Sequence, residues 1–194
     1  VQEYLFLDTY RDLGSLIQPM EIRNGIEFLH DIGDALRYKK KLKIRYRKSP
    51  DVEAYDAVVH PYCLKASLGR WYLFGYKENN SNGKDVQSFA LDRTINISVM
   101  TDSFVPNPNF DPVMYFYDSF GVWVDKEEYP VRDFTIAVTP QVANYLRTLP
   151  LHHSQREHSE KDSDGNVLFS YHISPTPDFM GVLYSWGDKL KILE

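Results

Sequence analysis

NGIEFLHDIGDALRYKKKLKIRYRK, residues 24–48, changes its period halfway along. Ile26, Leu29, Ile32, Gly33 and Leu36 recur at intervals of three and four, the spacing that lines one face of a helix, with Asn24 as the candidate N-cap and an end near Lys40. The period then drops to two. Leu42, Ile44 and Tyr46 alternate with Lys43, Arg45 and Arg47, so a strand here turns three apolar groups inward and three cations outward.

Working outward from this switch, four more short apolar segments follow at turn-separated intervals: Tyr55 to Val59, Arg70 to Tyr76, Val86 to Leu91 and Ile95 to Met100. Asn79-Asn80-Ser81-Asn82-Gly83 supplies hairpin-turn chemistry between the second and third of them. One helix and five strands within so short a span predict a small antiparallel barrel or a strongly bent sheet. On the upstream side, residues 1–23 mix aromatic and acidic groups around Pro19 without a sustained period, and we read them as a connecting segment. The chain opens on Val1 instead of Met, so we expect a further segment upstream.

From Thr101 to Pro130 four prolines and eight aromatic residues stand close together, too aromatic a composition for a solvated linker. We expect residues 105–130 to cross between two domains and to pack on at least one. The remainder, 131–194, shows an ordered set of elements. Val131 to Val138 alternates as a strand, Thr139-Pro140 caps a helix whose apolar side is Val142, Tyr145, Leu146 and Leu149, and Leu151 to His158 is expected as a strand. Asp162 to Asn166 makes a turn, and Val167, Phe169, Tyr171 and Ile173 mark a strand. Thr176-Pro177 opens a helix running through Trp186 to Gly187, and Lys189 to Leu193 closes the set. The order βαββαβ predicts a ferredoxin-like domain with both helices on one face.

Composition narrows the function classes. Among 194 residues, 22 basic and 27 acidic side chains give a net charge of −5, which argues against a histone-like binder of nucleic acid. Yet Leu36 to Lys48 holds eight basic residues and no acidic one. This cationic stripe is either a solvated helix end favoured by the macrodipole or an anion-binding surface. No apolar run is long enough for a membrane span and the opening lacks a signal-peptide pattern, so no membrane partner is expected. Cys63, the single cysteine, fits a reducing compartment, and we expect a cytoplasmic protein. No phosphate loop, zinc-protease motif or nucleophile elbow occurs, and nothing marks an enzyme or a cofactor. His152, His153 and His158 are not expected to bind metal, because neighbours on a strand point to opposite faces.

The block His60-Pro61-Tyr62-Cys63-Leu64-Lys65, then Arg70-Trp71-Tyr72-Leu73-Phe74-Gly75-Tyr76, then Phe89-Ala90-Leu91-Asp92-Arg93 resembles the WYL-domain family, whose name-giving triplet stands at residues 71–73. Phe120-Gly121-Val122, Leu149 to Gln155 and Trp186 to Leu193 are similar to the C-terminal extension that accompanies such domains in Bacteroidetes-type regulators. Two positions depart from the pattern: Gln87 where Arg is common, and Thr94 where Ile is usual. The resemblance implies an α+β chain, with a WYL domain at 24–104 folded as an Sm-like or SH3-like small β-barrel and an extension domain at 131–194. It also implies an effector role in a homodimeric transcriptional regulator, whose operator DNA is bound by an N-terminal domain outside this chain.

Such domains are thought to sense a negatively charged ligand, either a nucleotide or single-stranded nucleic acid. The residue types suit that chemistry: Arg pairs with phosphate in a planar fork, and aromatic rings stack on bases. Alternation sends Trp71 and Leu73 into the core and Tyr72 to the opposite face together with Arg70. Arg93, Tyr72, Arg70, Tyr46, Lys65 and His60 are the candidate ligand-binding residues. Two alternatives stand beside this reading. Asp92 and other acids could pair these cations structurally, and the chain could be a protein–protein dimerisation module without a ligand.

Overall fold

The computed structural model describes residues 24–80 and 85–193. The connecting segment 1–23 and the turn residues Ser81 to Gly83 lie outside the described residues. The chain is a mixed α/β protein with two mainly antiparallel sheets and few helices.

The period switch at residues 24–48 is real. A short 3-10 turn, Ile26–Phe28, leads into helix α1, Leu29–Tyr38, and Lys39 in the left-handed region (φ 53°) turns the chain directly into strand β1, Lys40–Tyr46. Asn24 does not cap this start. The Gly25 N–H is instead satisfied by the Glu27 carboxylate at 2.9 Å, two residues ahead. Strands β2 (Tyr55–Ser67), β3 (Arg70–Lys77), β4 (Gln87–Ala90) and β5 (Thr94–Ser103) complete a five-stranded sheet in the order β4-β3-β2-β1-β5, every neighbour antiparallel. α1 gives Ile32 and Ala35 to its core, where they join Leu42, Ile44, Val59, Leu73 and Phe89.

Strand β2 runs well past the expected end at Val59. Pro61, which ordinarily ends a strand, stands at a register shift between Pro61 and Cys63, where its missing N–H breaks no ladder bond. Gly75 pairs with Pro61 there, and a Cβ on it would lie 2.3 Å from the His60 carbonyl, so only glycine fits. The β3 triplet divides as alternation requires: Leu73 is fully buried, and half-buried Trp71 packs on the same core.

Residues 104–130 bind to both halves. Phe104 stacks on His60, Phe110 on Tyr62 and Phe116 edge-on against Phe74, all on the first sheet. Helix α2, Pro112–Tyr115, capped by the Asp111 carboxylate, carries Tyr115 to Phe74. Beyond Tyr117 the segment turns to the second half: Ser119 bridges to Ser174, the Ser174 N–H donates to the Asp118 carbonyl at 2.8 Å, and the Ser174 hydroxyl donates to the Tyr129 carbonyl.

The second half follows the βαββαβ order: β6 (Arg132–Val138), α3 (Pro140–Thr148), β7 (Arg156–Lys161), β8 (Val167–Ile173), α4 (Pro177–Tyr184) and β9 (Leu190–Leu193). The sheet order is β7-β8-β6-β9, again antiparallel throughout. Val142 and Leu146 of α3 and Phe179 and Leu183 of α4 pack with Ile136, Phe169 and Tyr171 in one core. Thr139 and Thr176 hold the N-cap positions, yet neither hydroxyl caps its helix.

The strand expected over Leu151 to His158 needs correction. Residues 151–154 form a turn, fixed by Gln155, whose side chain accepts from the Leu151 N–H and donates to the Leu146 carbonyl. His152 and His153 therefore do not point to opposite faces. Their ring centres lie 4.0 Å apart, and both Nε2 atoms donate to the Tyr117 carbonyl, at 2.9 and 2.8 Å.

Candidate functional site

The end of β1 and the turn before β5 are tied together by their backbones. Residues Leu91–Arg93 form a single 3-10 turn, and the Arg47 N–H donates to the Arg93 carbonyl at 3.2 Å. The Arg93 guanidinium then reaches back to donate to the Lys48 carbonyl at 3.2 Å. The Arg93 guanidinium is thereby held against the backbone of a second basic residue, Lys48. The ion pairs found among the described residues involve neither of them.

Next to this pair lies Tyr46. Its ring is buried, edge-on against Phe89 at 5.4 Å and Tyr55 at 5.9 Å, as the inward alternation of β1 demands. Its hydroxyl accepts from the Ala90 N–H at 3.3 Å. Burial pushes the pKa of this hydroxyl up, and the Ala90 N–H and the Arg93 guanidinium draw it back down. Tyr46 is thus a core residue with its polar end at the core's edge, beside a positive charge.

Tyr46, Lys48, Tyr72 and Arg93 all open onto one cleft of about 550 Å³. It is lined as well by Tyr115 and Trp123 of the connecting segment and by Asp125 and Asp178. Asp178 lies in the first turn of α4, and its Oδ2 accepts from the backbone N–H groups of Val122 (2.8 Å) and Trp123 (3.1 Å). Gly121 has φ +76°, and a Cβ there would meet Asp178 Oδ2 at 2.4 Å. The carboxylate therefore clamps the strip that carries half-exposed Trp123 against the cleft. The result is a space lined by aromatic rings, two basic residues and two carboxylates.

The structure brings three of the six sequence candidates, Arg93, Tyr72 and Tyr46, to this cleft. The other three are engaged elsewhere. Arg70 shares a face with Tyr72 but places its Nε 3.6 Å from Asp92 Oδ2, outside the cleft lining. Lys65 sets its ammonium 4.0 Å above the Phe116 ring, and burial lowers its pKa. His60 Nε2 lies 2.8 Å from Glu78 Oε1, an atom that also accepts from Lys41 at 2.7 Å. Lys41 and then His60 hold the Glu78 carboxyl below its usual range.

Part of the cationic stripe is engaged in the same way. Lys43 and Arg45 face Asp56, Lys41 faces Glu78, and Lys40 donates to the Thr101 carbonyl. Only its last members approach the cleft. Sequence reasoning missed Lys48, Tyr115, Trp123 and Asp178. The available signals were the two-residue spacing from Tyr46 to Lys48 and the Phe120-Gly121-Val122 motif, whose glycine lies against Asp178. Among the described residues no group of three or more His, Cys, Asp and Glu side chains is arranged to hold a metal ion, and no helix is long and apolar enough to cross a membrane.

Residues 27–99 match the WYL domain and residues 130–194 match the WCX domain. Among solved structures the chain is similar to proteasome accessory factor B/C (PafBC) of Arthrobacter aurescens, at 22% identity and a TM-score of 0.45, over 92% of this chain and 26% of that one. It is also similar to a CRISPR Cas-related protein, at 14% identity and a TM-score of 0.45, over 85% of this chain and 45% of that one. The chain thus spans about a quarter of the first structure's length and less than half of the second's. No curated protein matches it. The motif block that suggested the resemblance falls inside the first matched domain, the βαββαβ half coincides with the second, and on those two successive matches the chain belongs to the WYL-domain family.

Proposed function

We propose that this chain is the effector-sensing part of a WYL-family transcriptional regulator, a cytoplasmic binding module and not an enzyme, whose cleft receives a ligand that is both anionic and aromatic. A nucleotide or a short single-stranded nucleic acid has that chemistry. The observation that carries the reading is that Lys48 and Arg93 line one cleft together with Tyr72, Tyr115 and Trp123. Guanidinium and ammonium groups take the phosphate, and rings take the base, a stacking contact worth about 1–3 kcal/mol per base. Lys65, Arg70 and His60 act in this reading as supports of the surrounding structure.

Recognition of operator DNA belongs in this reading to a segment outside the described residues, and the regulator acts as a homodimer. The strand order β7-β8-β6-β9 with antiparallel neighbours supports a ferredoxin-like second half, and the bulged five-stranded sheet supports an Sm-like barrel for the first. The reading is tested by titrating the chain with a short single-stranded oligonucleotide at several salt concentrations. Two phosphate contacts give a slope of log Kobs against log salt of about −1.4, and Arg93→Ala lowers it by about 0.7 along with the affinity. Equal binding by wild type and Arg93→Ala would remove the assigned site.

A further inference from the structure

A second depression, of about 340 Å³, adjoins the cleft across the same two cations. Lys48 and Arg93 line both spaces, so the pair forms a saddle between them. On the far side of the saddle the depression is lined by Pro50, Ile95, Asp92 and Arg47.

The pairing of β1 with β5 explains why an apolar group faces this space. Arg45 pairs with Asn96 and Tyr46 with Thr94, so one residue of β1 spans two of β5, and Ile95 is the extra residue of a bulge. A bulge re-aims the side chain it carries. Ile95 is accordingly 49% exposed at the end of a strand whose Ile97 is buried in the core.

Charge assigns the parts of a ligand. Asp125 and Asp178 put two carboxylates in the lining of the first space, while the one carboxylate of the second, Asp92, faces Arg70 Nε at 3.6 Å and stands beside Arg47. The cations common to both spaces are therefore where a linking phosphate is best met. Resting on the reading of the cleft given above, we propose that the site has two subsites and takes a ligand of at least two nucleotide units. One base lies in the aromatic cleft, the linking phosphodiester on Lys48 and Arg93, and the second sugar and base against Pro50 and Ile95.

Calorimetric titration of the chain with deoxyadenosine 5′-monophosphate and with the dinucleotide pdApdA separates the two levels of the argument. The dinucleotide is expected to bind about tenfold more tightly. Ile95→Ser, a neutral change at an exposed position, is expected to reduce that advantage to about twofold while leaving the mononucleotide constant unchanged. Equal binding of both probes, or an Ile95→Ser variant that keeps the full advantage, would overturn the second subsite and leave the cleft intact. Failure of wild type to bind either probe would overturn both.

Discussion

Two buried tyrosines, one in each half, show how differently the halves use similar cores. Tyr171 on β8 is 2% exposed, and its hydroxyl donates to Gln155 Oε1 at 3.0 Å; burial alone raises its pKa steeply. Tyr46 on β1 is 5% exposed, but its hydroxyl meets the Ala90 N–H and the field of Arg93, and it opens on a cleft. The first arrangement closes its hydroxyl inside a core, on one hydrogen bond to a neighbouring side chain. The second leaves a polar end at a boundary where a ligand can enter. A buried polar group without a partner costs about 1–3 kcal/mol, so both solutions need the partners they have.

The comparison breaks most visibly at Phe179. Its ring is fully buried and contacts Phe120, Phe134 and Tyr171. Phe179→Ala is expected to destabilise the second half by about 3–5 kcal/mol in urea unfolding. A loss below about 1 kcal/mol would mean that the sealed core does not rest on this ring.

A smaller effect is expected at the clamp joining the halves. Asp178→Ala removes a carboxylate that accepts two backbone N–H groups, for a loss of about 1–3 kcal/mol. It also releases Trp123, so oligonucleotide affinity falls with it. Unchanged affinity would show that Trp123 plays no part in the cleft.

The smallest expected effect is one of pH. Burial, first, and then the neighbouring charge of His153 and His172 lower the His152 pKa, against the pull of the Tyr117 carbonyl and Asp118. A histidine whose folded pKa is depressed contributes stability that is complete above its unfolded value, about 6.5, and is lost as pH falls from there through the folded value. Melting temperature is therefore expected to drop between pH 7 and pH 5, and His152→Gln to flatten that slope. An equally steep slope in the variant would place its origin elsewhere.

Much of this arrangement was legible in the sequence. The switch of period at Lys40 and the alternation in β8 were readable because one face of each element is buried, whereas in β3 Leu73, Phe74 and Gly75 are buried in succession. β7 was not: all six of its residues are exposed, so no apolar alternation marks it. The reach of β2 was hidden by Pro61, whose effect depends on a bulge in β2 itself, where Tyr62 is the extra residue opposite β3. At the site, Arg93, Tyr72 and Tyr46 were found through the motif. Arg70, Lys65 and His60 lie outside the cleft lining, engaged with Asp92, Phe116 and Glu78, partners set by tertiary packing that residue type does not reveal. Trp123 and Asp178 lie well downstream of the strands of the first sheet, and only the fold brings them to the cleft.

The central claim is that Arg93 serves a ligand and not the fold. The most direct measurement pairs oligonucleotide retention with thermal unfolding of Arg93→Ala. The account predicts lost retention with a melting temperature close to wild type, since Arg93 is exposed, its guanidinium meets the Lys48 carbonyl and the Tyr46 hydroxyl, and the ion pairs among the described residues do not include it. Retained binding, or a large fall in melting temperature with binding lost only through unfolding, would contradict it.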